Sequence, residues 1–234
     1  MNRNNRPRSV KYFIAEIFIL VLGISASFLL NEWRLTQKER AQEIDLLESF
    51  KANLVVDSTL ISSAITTLKV QLERGNKVLL NNSGAYSDSL RFQVLTLLNY
   101  VPFRSNDITY EEMKSVGSSH IIKNDTLRAQ IIGIYENGYE LLRTWNDIDS
   151  EHVRMKMIPY VEKNLPFAPG FNYFNEDASV KRKFVNAIQA DEFKHLVQFG
   201  ISYKMNTKAV FELMSAELKE TIDLIDQELV QAED

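Results

Sequence analysis

The feature that most constrains this chain is the stretch Tyr12 to Leu30, YFIAEIFILVLGISASFLL, nineteen residues with a single charge, Glu16. As a helix rising about 1.5 Å per residue it is roughly 28 Å long, close to the roughly 30 Å hydrocarbon core of a bilayer. The basic run RNNRPRSVK lies directly before it, and Asn31-Glu32-Trp33 follows. The pattern predicts one transmembrane helix over 12–33, with the Trp33 indole at the membrane–water interface. A cleaved signal peptide is the competing reading, with the same basic start and Ser25-Ala26-Ser27 as a weak cleavage site. The apolar run continues past it through Phe28-Leu29-Leu30, longer than the roughly 7–15 residues of a signal core.

Orientation follows from the basic residues on either side. Arg3, Arg6, Arg8 and Lys11 precede the span, while Arg34, Lys38 and Arg40 follow it within ten residues. The small excess before the span predicts an N-terminus inside and the bulk of the chain outside. The expected domains are a basic cytoplasmic tail (1–11), the transmembrane helix (12–33) and a helical extracytoplasmic domain (34–234). In a Gram-negative host the location is the inner membrane, with most of the chain in the periplasm.

Within the span, Glu16 lies about one turn from the edge, where a carboxylate reaches the headgroups or pairs with a basic side chain. An ionisable group inside a membrane is otherwise a candidate for function. Gly23 and Ser27 form one small-xxx-small pair that would let two spans approach closely.

The four basic residues of the tail have no acid among them, which leaves the rest of the chain at −8 against −4 overall. A domain that acidic is a poor binder of nucleic acid, where affinity rests on neutralising phosphates. The absence of cysteine excludes disulfides, thiolate nucleophiles and cysteine-based metal sites. Glycine (8) and proline (5) are scarce, which favours helices over a turn-rich β fold.

The pattern Tyr12, Glu16, Gly23-Ile24, Asn31 and Trp33, running into a charged helix, resembles a family of uncharacterised bacterial single-pass membrane proteins found in Bacteroidetes. Thr109-Tyr110-Glu111-Glu112-Met113-Lys114-Ser115-Val116-Gly117, with Ile121-Ile122-Lys123-Asn124, resembles the middle of the same family. The resemblance implies an N-terminal anchor followed by a helical domain of unknown function. It implies no activity and no catalytic residues.

Beyond the span, positions 44, 47, 51, 54, 58, 61, 65, 68 and 72 hold seven apolar residues out of nine at alternating spacings of three and four. That is the seam of a helix packed on a partner, within the chain or in a dimeric coiled coil. Gly75 is the expected stop, with a loop at Asn81-Asn82-Ser83-Gly84. Asp88–Tyr100 reads as a short helix. Thr109 and Glu112 have capping-box spacing, with Gly117 as the end of that helix. A further helix is expected from Asn124 or Asp125 towards Tyr160, broken or kinked at Pro159. Leu165–Asn175 reads as irregular, with Phe167, Phe171, Tyr173 and Phe174 folding back to cover the end of the bundle, the alternatives being a ligand pocket or a partner surface. The last segment reads as two helices, or one bent near Gln189–Asp191 or Gly200. Its stripe Phe211, Met214, Leu218, Ile222, Ile225 and Leu229 is the natural partner of the first. The fold expected is all-α, an N-terminal transmembrane helix continuing into an extramembrane antiparallel bundle.

No constellation for chemistry stands out. His120, His152 and His195 form no metal-binding spacing; Asp147, Asp149, Glu151 and His152 read as a solvated acidic face. Ser118-Ser119-His120 reads as a cap for the next helix. No phosphate loop, nucleophile elbow or dinucleotide fingerprint is present. We therefore expect no enzyme activity, catalytic residue, cofactor or metal. The expected partners are the lipid bilayer and either a second copy or another membrane protein. The role expected is a membrane-anchored interaction or scaffold module; the alternatives are a ligand-sensing bundle that signals through a membrane partner, or an enzyme whose site assembles from scattered residues.

Overall fold

Between Val10 and Leu79 the chain has no proline and only two glycines, and it forms one helix, α1 (Val10–Leu79). At about 1.5 Å per residue that is roughly 105 Å of unbroken helix. The computed structural model describes residues 10–81, 84–168 and 172–233. The basic residues Arg3, Arg6 and Arg8, Asn82-Ser83 in the expected loop, and Pro169-Gly170-Phe171 in the aromatic stretch lie outside the described residues. Every described element is helical, and there is no strand among the described residues.

Gly75 does not stop α1. A Cβ there would lie 2.9 Å from Ile201 Cγ1, so the glycine serves close approach of another helix and α1 continues for one more turn. After a short loop, α2 (Asp88–Leu97) starts on Ser87, whose hydroxyl accepts from the Leu90 amide at 3.1 Å. Residues 98–107 then run without regular structure to α3 (Ile108–Val116). Thr109 is not the cap expected there: it lies inside α3, and its hydroxyl accepts from the Asn53 amide group at 2.7 Å. Gly117 does end α3, in the left-handed conformation (φ 65°) that a Cβ disfavours. Ser118 closes this same helix, donating to the Met113 carbonyl at 3.3 Å, rather than capping the next.

Asn124 caps the following helix, accepting from the Thr126 and Leu127 amides at 3.0 and 3.1 Å. That helix is continuous over 125–164 as α4 (Asp125–Gly133), α5 (Tyr139–His152) and α6 (Ile158–Asn164), joined by π-turns at Ile134–Gly138 and Val153–Met157. Pro159 does not break it. It lies just past the π-turn Val153–Met157, where the regular amide–carbonyl pairing is already shifted and a missing N–H is more easily accommodated. The last two helices are α7 (Ala178–Gln189), capped by Asp177, and α8 (Asp191–Glu233). The break falls at Ala190, while Gly200 is helical.

Contacts between α1 and α8 pair rising numbers with falling ones. Arg40 reaches the Glu228 carbonyl, Lys51 pairs with Asp226, Gly75 meets Ile201, and Gln189, at the end of α7, donates to the Asn81 carbonyl. Two apolar cores fill the space between the helices. One holds Phe50, Leu54, Ile61 and Leu68 of α1 against Ile131, Tyr139, Phe211, Leu218 and Ile225. The other, towards the far end of α1, holds Val78, Leu90, Tyr160, Tyr173, Phe184 and Phe193. Tyr173 therefore folds back into the second core, whereas Phe167 and Phe174 remain exposed.

Candidate functional site

From Tyr12 to Glu39 every side chain of α1 is exposed, although this includes the most apolar part of the chain. Burial begins only at Glu43, so about twelve residues, roughly 18 Å of helix, separate the apolar segment from the cores. This is the one described helix long and apolar enough to cross a membrane. Glu16, Gly23, Ser27 and Trp33 all lie on it. Glu16 has no partner among the described residues. The Ser27 hydroxyl donates to the Gly23 carbonyl at 2.8 Å, which hides its polarity within the helix. With no Cβ at Gly23, the surface is notched between Ile24, Phe28 and Asn31. Trp33 is exposed at the end of the apolar segment. The four residues are strung along α1 and form no common cluster.

Farther along, the solvent side of α1 remains uncharged for several turns. Ala52, Val55, Val56, Thr59, Leu60, Ser62, Ser63, Thr66 and Thr67 are exposed. Thr59, Thr66 and Thr67 donate their hydroxyls to the carbonyls four residues earlier in the same helix, so this face presents mainly methyl groups.

Behind the exposed surface lie three buried polar centres: two fasten α1 to other parts of the chain, and the third joins α5 to α8. At the base, the buried carboxylate of Glu43 accepts from the Lys123 amide at 2.6 Å and from Arg40. Asn124 donates to Glu228 at 2.6 Å beside it. In the middle, buried Asp57 accepts from the Asn106 amide at 3.0 Å and the Tyr139 hydroxyl at 2.6 Å, while the Asn106 side chain donates to Asn53 at 2.9 Å. Burial pushes the Asp57 carboxyl up from its ordinary value, against the lowering effect of its two donors. Higher up, Lys204 and Asp149 form a buried ion pair, and Lys204 also donates to the Asn99 carbonyl at 3.0 Å. Asp149 is therefore no part of a solvated acidic face. His152 is also largely buried, with Nε2 2.9 Å from the Leu196 carbonyl. The missing side chain of Gly200 makes room for its ring, since a Cβ there would lie 3.3 Å from Nε2.

Between the middle and upper centres, the segment 98–107 encloses a cavity of about 250 Å3 against α5, lined by Phe103, Arg104, Ser105, Asp107, Tyr139 and Arg143. Sequence reasoning passed over these residues, which match no motif. Arg143 pairs with Glu140 at 2.6 Å. The polar side-chain groups of Arg104, Ser105 and Asp107 have no partner among the described residues. No family model, curated protein or solved structure matches the chain.

Proposed function

We propose that this protein is a membrane-anchored helical interaction or scaffold module. Residues 12–33 span the inner membrane with the N-terminus inside, and the remainder forms an antiparallel bundle in the periplasm. The observation that carries this reading is an apolar helical segment left wholly exposed on the same unbroken helix that is then buried from Glu43 onward. Such a segment is costly in water and stable in lipid. The uncharged outer face of α1 supports a protein partner, either a second copy or another membrane protein. The likeness to single-pass bacterial proteins fits the same arrangement. Crosslinking in native membranes followed by mass spectrometry tests the partner; recovery of the protein with no crosslinked species would sink the scaffold reading. Reporter fusions at the C-terminus test the orientation, and activity confined to the cytoplasm would reverse it.

A second reading, a ligand-sensing bundle acting through a membrane partner, is favoured by the cavity beside Tyr139. Thermal melting of the protein across a metabolite library tests it, and a melting temperature that never moves counts against it.

A further inference from the structure

The cavity between segment 98–107 and α5 brings together polar groups that the fold leaves unused. Arg104 and Asp107 carry opposite charges, line the same cavity of about 250 Å3, and are not paired with each other. Asp107 occupies the N-cap position of α3, yet its side chain accepts no hydrogen bond there. Its charge instead adds to the field at buried Asp57, one of the causes that raise the Asp57 pKa. A positive group held beside Asp107 would relieve that repulsion.

The apolar wall is fixed independently of any ligand. The Phe103 ring packs 5.6 Å from Tyr139 and 5.7 Å from Phe211, edge-on to the latter. The Tyr139 hydroxyl is already committed to Asp57. What remains facing the cavity is two aromatic surfaces, a hydroxyl, a free guanidinium with a second one nearby, and a free carboxylate.

We propose that this cavity binds a free α-amino acid. Its carboxylate lies against Arg104 and Arg143 with the Ser105 hydroxyl, its ammonium against Asp107, and its side chain against Phe103 and Tyr139. Guanidinium groups suit a carboxylate because their planar forks donate two parallel hydrogen bonds. A simple anion would satisfy Arg104 but add a negative charge near Asp107 and Asp57, and a simple cation would leave Arg104 unmatched. A zwitterion matches both. The volume is just below the roughly 300–1,000 Å3 of pockets for drug-sized ligands, as a small metabolite requires. The occupied loop would act directly on α1, because Asn106, next to Ser105, is hydrogen-bonded to Asp57 and Asn53. This inference deepens the ligand-sensing reading and rests on it only for the consequences of binding.

The test is isothermal titration calorimetry on the full-length protein in detergent micelles with each protein amino acid. L-leucine is compared with its amine, isopentylamine, and its acid, 4-methylpentanoate. We expect at least one amino acid to bind, and neither leucine fragment to give measurable heat. Arg104→Gln and Asp107→Asn should each weaken binding by roughly tenfold or more. Both side chains are exposed and unpartnered, so circular dichroism melts should show that the variants stay folded. The proposal fails if no amino acid binds, if the acid or amine binds as tightly as the whole molecule, or if both variants bind like the parent. A different metabolite that still shifts the melting temperature would leave the sensing reading standing while this site falls. Amino-acid binding that leaves crosslinking between membrane partners unchanged would do the opposite.

Discussion

The Lys204 ammonium lies 2.8 and 3.0 Å from the two carboxylate oxygens of Asp149, and neither side chain is more than 2% exposed. Burial pushes the Asp149 carboxyl up and the Lys204 amine down, each against the stabilising charge of the other. The pair joins α5 to α8, and through the Asn99 carbonyl it also holds the start of the segment that encloses the cavity.

Removing one partner should cost far more than removing both. Lys204→Met leaves a buried carboxylate without its counter-ion, a loss of about 3–5 kcal/mol. Adding Asp149→Leu removes the stranded charge and should recover most of that loss. At roughly 2–4 °C per kcal/mol for a chain of this size, the single variant should melt about 6–20 °C below the parent. Circular dichroism melts of the two variants check this. A double variant no more stable than the single one would show that the pair is not the dominant interaction at this junction.

Two helical glycines should respond oppositely to alanine. At Gly133 a Cβ meets nothing within 4 Å, so Gly133→Ala should gain up to about 1 kcal/mol from helix propensity alone. At Gly75 the Cβ would approach Ile201 Cγ1 to 2.9 Å, close to the α8 backbone, with Leu97 also near. There the propensity gain is outweighed by overpacking of about 1–3 kcal/mol, and Gly75→Ala should lower the melting temperature. An increase at both sites would mean that α1 and α8 separate easily at Gly75.

The sequence made the apolar segment and the existence of most helices legible, because both depend on local runs and spacings. The α1 seam was half legible. Leu47, Leu54, Ile61 and Leu68 are buried as their spacing predicts, but the alternate members are Glu43, Phe50, Asp57, Ala64 and Gln71, each one residue before the expected position. Three of those are polar, and an apolar pattern assigns polar side chains to solvent. Their partners, the Lys123 and Asn106 amides and the Asn99 carbonyl, are distant in sequence. Lys204 and Asp149 were hidden for the same reason. Arg104 and Asp107 become noticeable only once the partners of the surrounding polar groups are known.

The Asp57 centre should control the order of the segment 98–107. Asp57→Ala removes the acceptor for the Asn106 amide and the Tyr139 hydroxyl and leaves a void, for a loss of about 2–5 kcal/mol. Tyr139→Phe removes one donor only, and should cost about 1–2 kcal/mol. Hydrogen–deuterium exchange distinguishes the two: the Asn106 amide should lose protection in Asp57→Ala and largely keep it in Tyr139→Phe. An unchanged Asn106 amide in Asp57→Ala would show that the packing of Phe103 suffices to hold the loop.

His152 gives the fold a pH dependence of definite sign. Burial lowers its pKa below the ordinary 6.5, with further lowering from Lys204 and Lys156, against raising contributions from the Leu196 carbonyl and Asp149. The folded protein therefore holds this ring neutral at pH values where the unfolded chain already protonates it. The unfolded state binds more protons in that window, so stability rises with pH through it. The contribution is fully present above about pH 6.5 and is lost as pH falls below that value, with a slope of at most about 1.4 kcal/mol per pH unit for one proton. His152→Gln retains a donor for the Leu196 carbonyl but cannot titrate. Melting temperatures at pH 7.5, 6.5 and 5.5 should decline for the parent and decline less for His152→Gln. Parallel curves for parent and His152→Gln would show that His152 is not the source of the acid sensitivity; Asp57 and Asp149, whose carboxyls are pushed up by burial, act in the opposite direction.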